Sequence, residues 1–162
     1  DKVIFMGFRQ EVIMFDKIIF VCTGNHSRSP MAETIYKSLA EDEGLPSISR
    51  GLVVLFSEPI NEKAEAVLEN HGLTCAVEAS KELVKEDITD NSLILTMTDK
   101  QKKQAQEKFE LTENVFTIKE FNGEEGEVKD PYGGTLVDYE ECYNELLRLI
   151  KKTIYKLDEM GK

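Results

Sequence analysis

Five residues separate a thiol from a guanidinium in the run Val21-Cys22-Thr23-Gly24-Asn25-His26-Ser27-Arg28-Ser29-Pro30. Cys22 is a candidate nucleophile. Arg28, planar and permanently charged, is the side chain best shaped to grip two oxygens of a phosphoryl group at once. A free thiol titrates near 8.5, and helix-terminal N–H groups with a neighbouring cation can bring that to roughly 3.5–7.5, so Cys22 is expected to act as a thiolate. The hydroxyl of Ser29 is placed to donate to the sulfur and ease its later departure as a leaving group. Gly24 and Asn25 are the types that best tolerate the positive φ of a tight anion cradle.

The elements on either side support that chemistry. Lys17-Ile18-Ile19-Phe20-Val21 is an apolar, β-branched run that reads as a buried strand. Pro30 falls where a first helical residue would, and Met31-Ala32-Glu33 continue as helix formers. A turn between a strand end and a helix start gathers anions, because several N–H groups converge there and the helix dipole adds positive charge. Thr23, Gly24, Asn25, His26, Ser27, Arg28 and Ser29 are therefore the expected phosphate-binding residues. A bare Cys-x5-Arg pair arises by chance, and the bland alternative is a structural cysteine ahead of an ordinary helix. The strand, Gly24-Asn25 and Ser29-Pro30 together favour the phosphate loop.

With 162 residues, 41% hydrophobic and 31% charged, the chain fits one soluble domain with a single core. No apolar run is long enough for a membrane span. Arg9, Glu11 and Asp16 interrupt the N-terminal apolar residues, so no signal peptide is expected. Cys22, Cys75 and Cys142 are spaced for neither a disulfide framework nor a zinc site, and a reducing, cytoplasmic setting fits a thiol enzyme. No metal or other cofactor is expected. A net charge of −11 argues against nucleic acid as a partner. Surface charge is screened beyond ~8–10 Å, so a phosphate loop acting by contact is compatible with it. Substrates with neutral or basic surroundings are expected.

Along the chain, helices are expected over 30–43, 59–71, 80–86 (capped by Ser80), 100–109 and 139–160, and strands over 17–21, 48–52, 92–97 and 115–118. Strands alternate with helices without hairpin signals, which predicts an α/β fold with a parallel sheet covered on both faces. His71 beside Gly72 reads as a cation at a helix C-terminus rather than a catalyst. Residues 119–134 read as a loop, and Asp138, three before Glu141, as the N-cap of the last helix. Residues 1–13 are extra to the 14–162 domain. Asp1-Lys2-Val3-Ile4-Phe5 nearly repeats Asp16-Lys17-Ile18-Ile19-Phe20, either by coincidence or upstream translation, or as an added strand pairing with the sheet or with another copy.

The run from Val21 to Glu33 resembles the signature of the low-molecular-weight protein tyrosine phosphatase family, and Asp130-Pro131-Tyr132-Gly133 resembles its second motif. The likeness extends from about Phe15 to Leu157 and implies a doubly wound four-stranded parallel sheet. It also implies Cys22 as nucleophile, Arg28 as phosphate clamp and Asp130 as general acid. Without it, Asp130-Pro131 would read as a turn. Many relatives have a second cysteine where this chain has Ser27. Val53, Val54, Leu55 and Phe56 either continue the buried strand or form one wall of the substrate cleft, as in relatives, with Tyr132 and His26 at its mouth. His26 occupies the position that, in bacterial relatives, separates phosphotyrosine from phosphoarginine enzymes, and it matches neither; it either lines the mouth or faces solvent. The resemblance implies a phosphorylated protein as substrate, phosphotyrosine ahead of phosphoarginine, and a monomer or weak dimer. Arsenate reduction would need two further cysteines close together, and a silent phosphate-binding module would have no use for Asp130.

Overall fold

The computed structural model describes residues 2–6 and 11–161, with the side chains of 15–40 and 42–161. A hairpin comes first: β1 (Lys2–Met6) pairs antiparallel with β2 (Glu11–Phe15) as a separate two-stranded sheet. The repeated string at the N-terminus therefore pairs with its own chain and does not extend the parallel sheet. Hairpin pairing leaves no mark in the sequence because residues 7–10, outside the described residues, carry no two-residue turn signature.

The main sheet has the order β4-β3-β5-β6 and is parallel throughout, with β3 at Lys17–Cys22, β4 at Ser47–Gly51, β5 at Ser92–Thr96 and β6 at Val115–Thr117. The register sets Cys22 opposite Gly51 and Val21 opposite Thr96. β3 is buried along almost its whole length, which is why it lacks the alternation of a half-exposed strand. Ile18 and Phe20 belong to a core built with α1 (Arg28–Ala40), α2 (Glu62–Asn70) and α5 (Leu136–Met160). Ile19 and Val21 belong to a second core with Ala105 of α3 (Asp99–Phe109). Helices thus cover both faces. The chain leaves β3 for β4 on one side and returns to β5 on the other, so the carboxyl end of β3 is a topological switch point, where such sheets bind ligands. No described helix is long and apolar enough to cross a membrane.

Four expectations are corrected. Residues 80–84 form no helix: Ser80 is fully buried and accepts the N–H of Glu58 (2.9 Å), Glu82 bridges to Gly51, and only Lys85–Asp87 makes a single 3₁₀ turn. The segment is tied to the edge of β4, and that tertiary pairing overrides its helix propensity. A short α4 (Ile118–Phe121) follows β6 directly, capped by Thr117, within a stretch expected to be loop. The last helix starts earlier than its apolar stripe, at Leu136. Thr135 is its N-cap, and Asp138 is the third helical residue of the reciprocal box rather than the cap. His71 does end α2, where it stacks on Tyr143 (4.0 Å between centroids) and its Nε2 lies 2.6 Å from a Glu140 oxygen, joining α2 to α5.

Candidate active site

The turn from Cys22 to Arg28 is held by buried polar contacts. Asn25 is the key residue: it has φ of 56°, is fully buried, and its side-chain amide bonds to three elements. Its Nδ2 donates to Ser29 Oγ (2.8 Å) and Ser49 Oγ (3.1 Å), and its Oδ1 accepts the N–H of Lys81 (2.9 Å). Its own N–H donates to Cys22 Sγ (3.2 Å), and Ser29 Oγ lies 3.0 Å from the same sulfur. The thiol therefore faces into the turn. The Asn25 N–H donates to the sulfur, and the Ser29 hydroxyl is within donating distance of it. The amides of Gly24, His26 and Ser27 make no hydrogen bond to protein among the described residues. They and the first turn of α1 are the donors an oxyanion would use.

Gly24 is needed for a different reason from the one expected. It is not among the positive-φ residues; a Cβ there would sit 2.9 Å from Nδ1 of His26. The imidazole folds back over the loop instead of facing solvent, its Nε2 is buried without a partner, and the His26 carbonyl accepts the N–H of Asn61 (3.0 Å). Gly51 permits the close approach of β4, since a Cβ there would press on the Thr23 carbonyl and the Asn25 amide.

Arg28 is buried at the start of α1. One Nη1 N–H donates to the Val128 carbonyl (2.9 Å), which fixes the plane of the guanidinium and leaves other donors of its fork. Its Nη2 lies 3.6 Å from Oδ2 of Asp130, whose side chain is 54% exposed. The other carboxylate oxygen accepts the Tyr132 N–H (3.1 Å), an Asx turn that orients Asp130 from its own backbone. Arg28 and Asp130, 102 positions apart in the sequence, are thus brought together.

The rim residues split. Val53 N–H bonds to the Thr23 carbonyl (2.9 Å), after which Val53, Leu55 and Phe56 project into solvent and Val54 is half-buried. The strand does not continue through them. Tyr132 is likewise exposed beside Asp130, but no described contact joins it to residues 53–56. Among other supports, Gln101 Nε2 donates to Thr23 Oγ1 (3.1 Å) while its Oε1 accepts the amides of Met97 and Thr98. Tyr139 is buried on α5 near the Ser27 and Asn61 side chains, and burial keeps its phenol above the ordinary range. Asn61, Gln101 and Tyr139 do not stand out in the sequence as site residues. The signals available are the capping positions of Asn61 and Gln101; Tyr139 gives none.

Residues 17–162 match the family model described as low molecular weight phosphotyrosine protein phosphatase. The chain belongs to that family. Among similar proteins is the low molecular weight protein-tyrosine-phosphatase PtpB of Staphylococcus aureus, 38% identical over 136 residues that cover 84% of this chain and 95% of the relative. The structure resembles the low molecular weight protein tyrosine phosphatase from T. tengcongensis at a TM-score of 0.82 with 36% identity, covering 87% and 99% of the two chains. It resembles the YwlE arginine phosphatase from Geobacillus stearothermophilus at the same TM-score with 34% identity, covering 88% and 93%. Within this phosphatase family, the four-stranded sheet and the position of Cys22 after its first strand are as expected.

Proposed function

We propose that this chain is a protein-tyrosine phosphatase that works through a phosphocysteine. Cys22 attacks phosphorus in line as a thiolate, the S–P bond forms, and the P–O bond to the tyrosine breaks. Arg28 and the loop amides hold the three equatorial oxygens, stabilising charge in preorganised positions. Asp130, carrying a proton, gives it to the leaving oxygen. It then takes one from the water that attacks the phosphocysteine, so that sulfur departs as thiolate toward the Ser29 hydroxyl and the Asn25 amide. The observation that carries this reading is the Cys22 sulfur facing into the turn, in contact with Asn25 N–H and Ser29 Oγ.

Thiolate chemistry of this kind suits a reducing cytoplasm and a phosphorylated protein partner. A thiol relay of the arsenate-reducing type is disfavoured by the other cysteines: burial pushes Cys142 up to about 12 and raises Cys75 as well. Likeness to an arginine phosphatase, at the same TM-score as to a tyrosine phosphatase, supports phosphoarginine as the second reading. The test is kinetic comparison of one peptide carrying either phosphotyrosine or phosphoarginine, with wild type and His26→Thr. Faster turnover of phosphotyrosine by wild type supports the first reading. The opposite ranking replaces it with the second, and no turnover of either, or of p-nitrophenyl phosphate, overturns both.

A further inference from the structure

Beside the phosphate loop a groove of about 530 Å³ runs from Thr23 and Arg28 to Asp130, with its far wall made by Lys100 and Gln104 of α3 and by Glu127 and Lys129. Two lysines line it in a strongly acidic chain. Of the fourteen lysines with described side chains, six pair with a carboxylate: Lys37, Lys102, Lys103, Lys108, Lys119 and Lys152. Lys100 and Lys129 are exposed and, among the described residues, paired with none. The one glutamate on the groove wall is occupied, since its Oε2 accepts the Asp99 N–H (2.9 Å).

We propose that this groove is a second subsite, taking a carboxylate side chain of the substrate next to the phosphorylated residue. The proposal rests on the phosphatase reading and gives it a substrate class: phosphorylated segments with a flanking aspartate or glutamate. In the productive complex the phosphoryl group matches Arg28 and Asp130 carries its proton. The balance in the groove is then two ammonium groups against Glu127. An extended segment advances about 3.3–3.6 Å per residue, so a side chain one or two positions from the phosphoryl group reaches a groove that shares Arg28 with its binding site. Lysine is well suited to such a subsite, because a mobile point charge accepts a carboxylate at varied angles, where a second arginine fork would compete for the phosphoryl group. The expectation of neutral or basic substrate surroundings follows from the whole-chain charge. Within a Debye length of ~8 Å the local lysines decide instead.

The test uses two peptide pairs, one built on phosphotyrosine and one on phosphoarginine, each with glutamate or glutamine flanks, and reads the pair with the faster phosphoresidue. Exposed ion pairs of this kind predict that wild type favours the glutamate peptide by about three- to ten-fold in kcat/KM, mainly through KM. Lys100→Ala/Lys129→Ala should abolish the preference while p-nitrophenyl phosphate turnover stays unchanged. Raising salt should erode the wild-type preference. Equal rates for glutamate and glutamine peptides in wild type, or a preference that survives in the double variant, overturn the subsite and leave the phosphatase intact. Failure of wild type to hydrolyse p-nitrophenyl phosphate or either phosphoresidue overturns the phosphatase reading, and the subsite falls with it.

Discussion

The two loops that meet at Arg28 are built on opposite principles. From Cys22 to Ser29, the side chains of Cys22, Asn25, Ser27, Arg28 and Ser29 are buried, and Asn25 alone is bonded to α1, β4 and the segment after Ala79. From Lys129 to Gly134, only Pro131 is buried, and the side-chain ties are few: Tyr132 N–H to Asp130, Lys63 Nζ to the Gly134 carbonyl (2.6 Å) and Asp130 to Arg28 (3.6 Å), beside the Gly134 N–H to the Pro131 carbonyl (2.8 Å). On the proposed mechanism, the groups that stabilise a charge common to every phosphoryl transfer sit in rigid, crosslinked structure. The group that would serve the leaving side, which differs among substrates, sits on an exposed arm. The contrast places preorganisation where the charge develops and tolerance where substrates vary.

The strongest way to test that contrast is Cys22→Ser, which should cut turnover of every phosphate ester by about 10⁴-fold or more, whatever the leaving group. Residual activity near wild type would remove the thiol from the chemistry. Asp130→Ala should act selectively: a fall of about 10²–10⁴-fold on a phosphotyrosine peptide, and a smaller one on p-nitrophenyl phosphate, whose phenolate leaves without help. Equal losses on both substrates would show that Asp130 acts through the step they share, hydrolysis of the phosphocysteine, rather than on the leaving group.

Stability should divide along the same line. Asn25→Ala leaves Ser29, Ser49 and the Lys81 amide short of a partner and puts alanine at φ 56°, so unfolding by urea should show a loss of about 3 kcal/mol. Tyr132→Ala, at an exposed site, should stay within about 0.5 kcal/mol of wild type. A similar loss in the two variants would erase the distinction between crosslinked cup and free arm. A modest effect lies away from the site. Arg148 and Lys152 bond the Glu124 carboxylate and hold it down at about 2. Because that pKa is depressed, the stabilisation is full above the unfolded value of ~4.3 and is lost as pH falls through about 2. Glu124→Gln should cost about 0.5–1 kcal/mol at neutral pH, the partners being half exposed, and thermal melts should converge with wild type below pH 2.

What is legible in the sequence is what is local. The Cys22–Ser29 turn announces itself because strand, loop and helix start are contiguous, and β3 and β5 because each is a buried, largely apolar run. Pairing over long separations leaves no such trace: Asn25 with Lys81, Gln101 with Thr23. The same limit explains residues 80–84, whose composition suits a helix but whose backbone is claimed by the edge of β4. Gly24 shows a finer failure. The residue type stands out in the sequence, but the reason it is needed is the imidazole packed over it, not its φ.

The most direct measurement is an acid quench of Asp130→Ala during turnover of p-nitrophenyl phosphate, followed by mapping of the phosphorylated residue. That substrate needs no acid to leave, while loss of the base slows the second step, so covalent phosphoenzyme should accumulate with the phosphate on Cys22. A phosphate on any other side chain, or rapid turnover with no covalent intermediate, would contradict an inward-facing sulfur as the nucleophile.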